Sequence, residues 1–151
     1  MLRTELNDAL KQALKDQDKK TLGTVRLILA ALKDRDIAAR GAGNCDGISE
    51  DEVLDMLQKM VKQRRESIEL YTKGERQDLV DKEEAEIEVI QRFMPQQLDD
   101  GETQAAVDGM IVELEAGSIK DMGRVMAALK ERYAGRMDFA KASALAKGQL
   151  A

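Results

Sequence analysis

Apolar residues recur every three or four positions along most of the chain, the spacing expected of one face of an α-helix. The first such stripe begins at the N-terminal end and contains Leu2, Leu6, Ala9, Leu10, Ala13 and Leu14. A second stripe, which Thr21 could cap, contains Leu22, Val25, Ile28, Leu29 and Leu32. No run of alternating apolar and polar residues is long enough to predict a strand, so the pattern predicts an all-α protein.

Glycine and capping residues then punctuate the pattern. The small and polar segment 41–47 predicts a flexible loop, and Ser49 with Glu52 forms a capping box that opens a third helix. Gly74 suits a left-handed helix end. A fourth helix is predicted from about Asp78 to Phe93, and Pro95 must lie beyond its end.

After Pro95 the predicted helices are shorter. Asp99 or Asp100 can begin a fifth helix, and Ser118 with Asp121 resembles another capping box ahead of a sixth. Asp138 begins the last helix. We therefore predict an N-terminal bundle of about four helices, residues 1–95, and a small C-terminal subdomain of three helices, residues 98–151.

The charge distribution limits the classes of partner. The net charge is −5, which does not suit a strongly basic nucleic-acid binder. Residues 118–151, however, contain seven Lys or Arg against three Asp or Glu, whereas residues 1–95 contain 17 basic and 20 acidic residues. The basic excess therefore lies at the C-terminal end.

Several kinds of chemistry find no support in the composition. The chain has no histidine, the commonest general base and metal ligand. Its one cysteine, Cys45, can form neither an internal disulfide nor a cysteine-based zinc site. We expect no metal and no cofactor. Without a signal peptide or an apolar run of about 20 residues, we also expect no membrane association and a cytoplasmic location.

Two arginines in the third helix are candidates for binding. Arg64 and Arg65 belong to a basic cluster at 62–65 and could present guanidinium groups to phosphates or to a partner's carboxylates. The alternative is ordinary surface pairing, since Glu66 lies four residues after Lys62 and Glu69 lies four after Arg65. The acidic run at 81–88 could bind a hard cation, but a solvated helix face is favoured there.

The start of the sixth helix is the most informative stretch. Gly123 costs helix stability, and such a glycine often permits close approach of another backbone. It could serve packing within the small subdomain, or it could leave room for a phosphate at a helix N-terminus beside Lys120 and Arg124. The two readings are compatible. Further basic residues follow at Lys130, Arg132 and Arg136.

An ordered set of motifs resembles the GatB/YqeY family. Residues 120–126, Lys-Asp-Met-Gly-Arg-Val-Met, are similar to that family's K-x-M-G-x-V-M signature. Further similar segments lie in the same order across nearly the whole chain: 25–33, 63–68, Gly74 to Leu79, Glu83 with Glu86, 93–98, and 135–138. The Gly-rich loop around Cys45 is a departure, because the family's loop is often more polar.

The resemblance implies a stand-alone version of the C-terminal tail region of the B subunit of glutamine-dependent tRNA amidotransferase. There the homologous region is a helical appendage that helps hold the tRNA body. A family label of carbon–nitrogen ligase activity with glutamine as amido-N donor would follow, although no residues here suit ATP binding or glutamine hydrolysis. We therefore expect an accessory module for tRNA or a tRNA-processing enzyme in translation, without catalysis of its own. A protein–protein adaptor and an amidotransferase subunit acting in trans are the alternatives.

Overall fold

A computed structural model describes all 151 residues, and its regular elements are helices. One 3-10 turn, Ile119–Asp121, precedes the sixth helix. The α-helices are α1 (Leu2–Asp16), α2 (Lys19–Gly41), α3 (Glu50–Lys73), α4 (Gln77–Gln91), α5 (Asp100–Glu113), α6 (Met122–Arg132) and α7 (Phe139–Leu150). The predicted all-α class is confirmed.

The chain forms two compact units, Met1–Pro95 and Gln96–Ala151. In the N-terminal unit α1 packs on α2, α3 packs on α4, and α2 also packs on α4. The side chains that are buried at the centre of this unit include Leu6, Ile28, Val53, Met56, Leu57 and Ile90. Because these residues are aliphatic or Met, the core forms without aromatic side chains at its centre.

The C-terminal unit has its own core. Each of its three helices packs on the other two, and the buried residues include Val107, Met110, Val125, Leu129, Met137 and Ala146. Leu98 anchors the start of the unit, because its N–H donates to the backbone carbonyl of Arg136 over 2.8 Å.

Side-chain caps begin four of the helices. Ser49 and Glu52 form the predicted capping box of α3, and Asp99 and Asp138 cap α5 and α7. The cap of α2 differs from the prediction: Asp18, not Thr21, is the N-cap, and it accepts the N–H and the hydroxyl of Thr21. A carboxylate here also complements the helix dipole.

The end of α3 also differs from the prediction. Gly74 keeps a negative φ of −84°, and the left-handed residue is Glu75, with φ of 56°. The N–H of Arg76 donates to the carbonyl of Tyr71, and that of Glu75 to Thr72, which is the Schellman pattern. The helix therefore ends one residue later than the glycine suggested.

Candidate binding surfaces

The predicted binding residues of the C-terminal unit meet at the start of α6. Lys120 lies in the 3-10 turn, and Gly123 and Arg124 are the second and third residues of α6. All three are exposed. The four-residue spacing of Lys120 and Arg124 thus crosses the junction between the 3-10 turn and α6. We call Lys120, Gly123 and Arg124 the α6 edge.

Asp121 holds the loop that leads into this edge. Its carboxylate accepts the backbone N–H of Gly117 over 2.9 Å and that of Ser118 over 3.3 Å. These two backbone hydrogen bonds lower the pKa of Asp121, and a weaker contribution comes from Arg124, whose guanidinium donates to the same carboxylate over 3.1 Å. The predicted partnership of Ser118 and Asp121 is present.

Gly123 has no packing role. A Cβ atom added at this position would have no atom within 4 Å. Of the two alternatives for this glycine, close packing within the subdomain is therefore not supported. No side chain therefore fills the space over this position.

The other basic residues of this unit are engaged to different degrees. Arg132 makes two hydrogen bonds with Glu113, of 2.8 and 2.9 Å, which raise the pKa of Arg132 and lower that of Glu113. The Nε of Arg136 donates to the backbone carbonyl of Gln96 over 3.2 Å. Lys130 is exposed and makes no ion pair. Arg132 and Arg136 therefore hold the unit together in addition to lying on its surface.

The local basic excess does not extend to the whole unit. Residues 96–151 contain nine acidic and seven basic residues, a balance of −2, because the acidic residues of 96–117 offset the basic end. Lys141 pairs with Asp100 over 3.0 Å, another contact between these two parts of the unit. The folded unit presents scattered free cations, not a basic surface.

Arg64 and Arg65 have separate environments. Arg64 lies partly buried, donates to Glu86 of α4 over 2.9 Å, and donates to the carbonyl of Met60 over 3.2 Å. Arg65 is exposed and unpaired. The pairs considered within α3, Lys62 with Glu66 and Arg65 with Glu69, do not form. The partner of Arg64 was missed because it lies 22 residues away, on a different helix.

The remaining candidates for chemistry stay apart. Cys45 is an exposed free thiol, and no three His, Cys, Asp or Glu side chains are placed to share a metal ion. Glu86, within the acidic run, is used by Arg64. None of the helices combines the length and the apolar character that a bilayer span requires.

These features define a two-unit, all-helical protein whose candidate site is an exposed edge rather than a pocket. The chain belongs to the YqeY family: the model of the Yqey-like protein family matches residues 3–150. The resemblance drawn from the motifs is thereby confirmed.

Related proteins from yeasts carry the name Altered inheritance of mitochondria protein 41, mitochondrial. The protein of Lachancea thermotolerans is 33% identical over 112 residues, which are 73% of this chain and 58% of that protein. The protein of Eremothecium gossypii is 40% identical over 91 residues, 59% of this chain and 46% of its own length. The chain thus spans about half the length of these relatives.

The expected cytoplasmic location is wrong in the light of these relatives, which are named as mitochondrial proteins. The expectation rested on the absence of a signal peptide and of an apolar span. Neither absence distinguishes the cytoplasm from a mitochondrial compartment, since a helical protein with a charged surface folds in either.

Proposed function

We propose that this protein is an accessory helical module that contacts tRNA or a tRNA-processing enzyme through the α6 edge. The observation that carries the proposal is the open space over Gly123 beside the exposed Lys120 and the exposed Arg124, of which Arg124 also pairs with Asp121. The N-terminal end of α6 adds partial positive charge beside these cations. A nucleic-acid backbone can approach this edge without a side chain in its way.

The proposal assigns the bond-forming chemistry to other proteins. Ligation of nitrogen to carbon with glutamine as donor requires activation of an acyl group and release of ammonia, and the α6 edge contains only donors of hydrogen bonds and positive charge. In this role the protein would supply orientation and affinity to a larger enzyme acting in trans. Any carbon–nitrogen ligase activity would belong to that assembly.

A gel-shift titration of the whole protein against total tRNA, at low and moderate salt, tests the proposal. We expect Lys120→Ala/Arg124→Ala to weaken binding and to flatten the salt dependence by about two counterion units. The matched control is Lys62→Ala/Lys82→Ala, which removes two exposed and unpaired cations from the N-terminal unit. This control should retain the wild-type affinity if the α6 edge is the contact surface.

Two results would lead us to abandon tRNA as the partner. One is equal binding by the wild type and the α6-edge variant. The other is no binding by either protein below about 100 μM, where non-specific affinities typically begin.

A protein partner is the second candidate, and the balance of −2 in residues 96–151 favours it. A unit with a net negative charge repels a polyanion, and its two or three free cations attract one only at short range. A partner carboxylate could still dock at the α6 edge, because a single contact needs only the local charge. Retained tRNA binding at moderate salt would count against this candidate.

A further inference from the structure

Helix α2 presents four cations at a constant spacing of seven residues: Lys19, Arg26, Lys33 and Arg40. Seven residues are nearly two helical turns, so successive members lie about 10.5 Å apart and drift by only about 20° around the helix. All four are exposed, and none has a carboxylate within ion-pair distance. We call these residues the α2 cation line.

The acidic residues of α2 do not neutralise this line. Asp36 is bound by both terminal nitrogens of Arg3 and by the N–H of Ile48. Asp34 lies about 100° around the helix from Lys33, on a different face. A protein with a net charge of −5 therefore keeps four cations without a direct ion pair along one face of one helix, although Arg40 still interacts at longer range with Asp36.

An apolar cleft lies beside the line. Helices α1 and α2 form an open cleft of about 360 Å³, and its lining includes Leu29, Leu32 and Ile37 together with Lys33, Arg40 and the paired Arg3 and Asp36. Ile37 is 54% exposed although its side chain is large and apolar. Two of the four cations, Lys33 and Arg40, thus border a cleft that can receive an apolar side chain.

We propose that the α2 cation line docks an acidic amphipathic helix of a partner protein, one with carboxylates every seven residues and an apolar side chain that enters the cleft. A helix packed along α2 repeats with the same period, so each carboxylate meets one cation over the length of the line. An amphipathic helix in an apolar groove is an established mode of peptide recognition. This surface belongs to the N-terminal unit, and the inference does not depend on the proposed contact at the α6 edge.

An RNA backbone fits the same observations less well. Proteins that hold single-stranded or looped RNA commonly stack its bases on aromatic side chains, and α2 has none. The apolar wall of the cleft, formed by Leu29, Leu32 and Ile37, also offers no donor to a phosphate. The constant spacing and the apolar cleft together favour a helix.

A synthetic probe tests this inference on the whole protein. The probe is a fluorescently labelled alanine-based helix of 28 residues, with Glu at every seventh position and Leu four residues after each Glu. The control peptide has Lys in place of Glu. Binding is measured by fluorescence anisotropy at low salt. We expect the Glu peptide to bind with a dissociation constant below about 100 μM and the Lys peptide not to bind. This limit lies about one hundredfold above a dissociation constant of 1 μM.

Charge reversal then assigns the binding to α2. An exposed ion pair contributes up to about fivefold to affinity, so Arg26→Glu/Lys33→Glu/Arg40→Glu should weaken the Glu peptide at least about tenfold. The matched control, Lys62→Glu/Lys73→Glu/Lys82→Glu, makes the same change in charge at exposed, unpaired positions of α3 and α4. Circular dichroism confirms that both variants are folded.

The footprint of the Glu peptide on the wild-type protein, mapped by amide chemical shifts, needs no variant at all. It should fall on α2 and on the neighbouring residues of α1. The inference is overturned if the peptide does not bind, if its footprint lies elsewhere, or if the two triple variants weaken it equally. It is also overturned if total tRNA binds through the α2 cation line while the peptide does not, because the face would then serve a nucleic acid.

Discussion

Arg3 and Asp36 are joined by two parallel hydrogen bonds of 2.7 and 2.8 Å across 33 residues of sequence. The same guanidinium donates to the carbonyl of Ile48 over 3.0 Å, and the carboxylate accepts the N–H of Ile48 over 2.9 Å. This pair therefore joins α1, α2 and the end of the loop that precedes α3. Bidentate pairs of this kind fix geometry as well as contributing energy.

Gly47 makes room for this pair, which leads to the first prediction. Gly47 and Gly43 both have positive φ, so alanine at either position should cost about 1–2 kcal/mol of stability. Only at Gly47 would the new Cβ also meet Asp36, at 2.8 Å, and Arg3, at 3.0 Å. We expect Gly47→Ala to be more destabilising than Gly43→Ala in urea unfolding. Equal losses of stability at the two positions would show that Arg3 and Asp36 move away from the new Cβ without a cost in free energy.

The second prediction concerns pH. The hydrogen bonds from Arg3, followed by that from Ile48, lower the pKa of Asp36 to about 2. A lowered folded-state pKa gives stability that is present above the unfolded value near 4 and is lost as the pH falls towards 2. With allowance for solvent screening, the loss should be about 1–2 kcal/mol.

Asp36→Asn isolates this effect from the other carboxylates. The stability difference between wild type and Asp36→Asn, measured by urea unfolding, should be constant from pH 7 to 5 and should shrink as the pH falls from 4 to 2. A difference that stays constant down to pH 2 would mean that Arg3 does not hold the charged form of Asp36.

The third prediction separates the two arginines of α3. Arg64 is only 14% exposed and Glu86 only 17%, so Arg64→Met leaves a shielded carboxylate without its partner. We expect a loss of stability of about 1–3 kcal/mol, below the roughly 3–5 kcal/mol of a fully buried broken pair, because some solvent reaches this one. Arg65→Met should change stability by no more than about 0.5 kcal/mol, as expected of an exposed position. Similar losses for both would contradict a structural role specific to Arg64.

The helices could be predicted from the sequence because the apolar residues of their buried faces recur every three or four positions. Apolar residues at helical spacing mark every α-helix of the protein, and the Ser49–Glu52 capping box can be recognised within four residues. The helix ends were predicted less well because neighbouring residues differ little in the free energy of ending a helix. At the end of α3, Glu75 takes the left-handed conformation although Gly74 precedes it. Neighbouring residues compete there for one conformation, and the local sequence does not decide between them.

The candidate surfaces were harder to predict because ion pairs form between helices. Arg132 finds Glu113, 19 residues earlier, and Arg64 finds Glu86. A prediction from helical spacing considers only ion-pair partners three or four residues away in the sequence. The α2 cation line had a readable signal, the constant seven-residue spacing, but net charge and clusters of adjacent basic residues do not reveal it.

The fourth prediction concerns modularity. We propose that residues 1–95 and 98–151 are separate subdomains. Limited proteolysis should cut first within the exposed loop at 42–46 and next near Pro95–Gly101, since exposed tips of small and polar residues are preferred sites. Mass spectrometry of the early fragments locates the cuts. A first cut within α3, for example between Val53 and Tyr71, would contradict both the loop and the proposed boundary.

The fifth prediction uses two helical glycines to separate stability from binding. Gly123 in α6 and Gly109 in α5 are both exposed, and an added Cβ would have open space at each. Alanine should therefore leave stability unchanged or raise it by up to about 1 kcal/mol at both positions. Gly123→Leu should likewise fold normally, because no neighbour is displaced.

If the α6 edge receives a phosphate or a partner's backbone, Gly123→Leu should weaken binding to total tRNA or to the enzyme partner severalfold, whereas Gly109→Leu should not. Thermal unfolding and gel-shift titration of the same four variants check both parts. Equal binding by both leucine variants would remove Gly123 from the contact surface and leave its occurrence in α6 without a structural explanation.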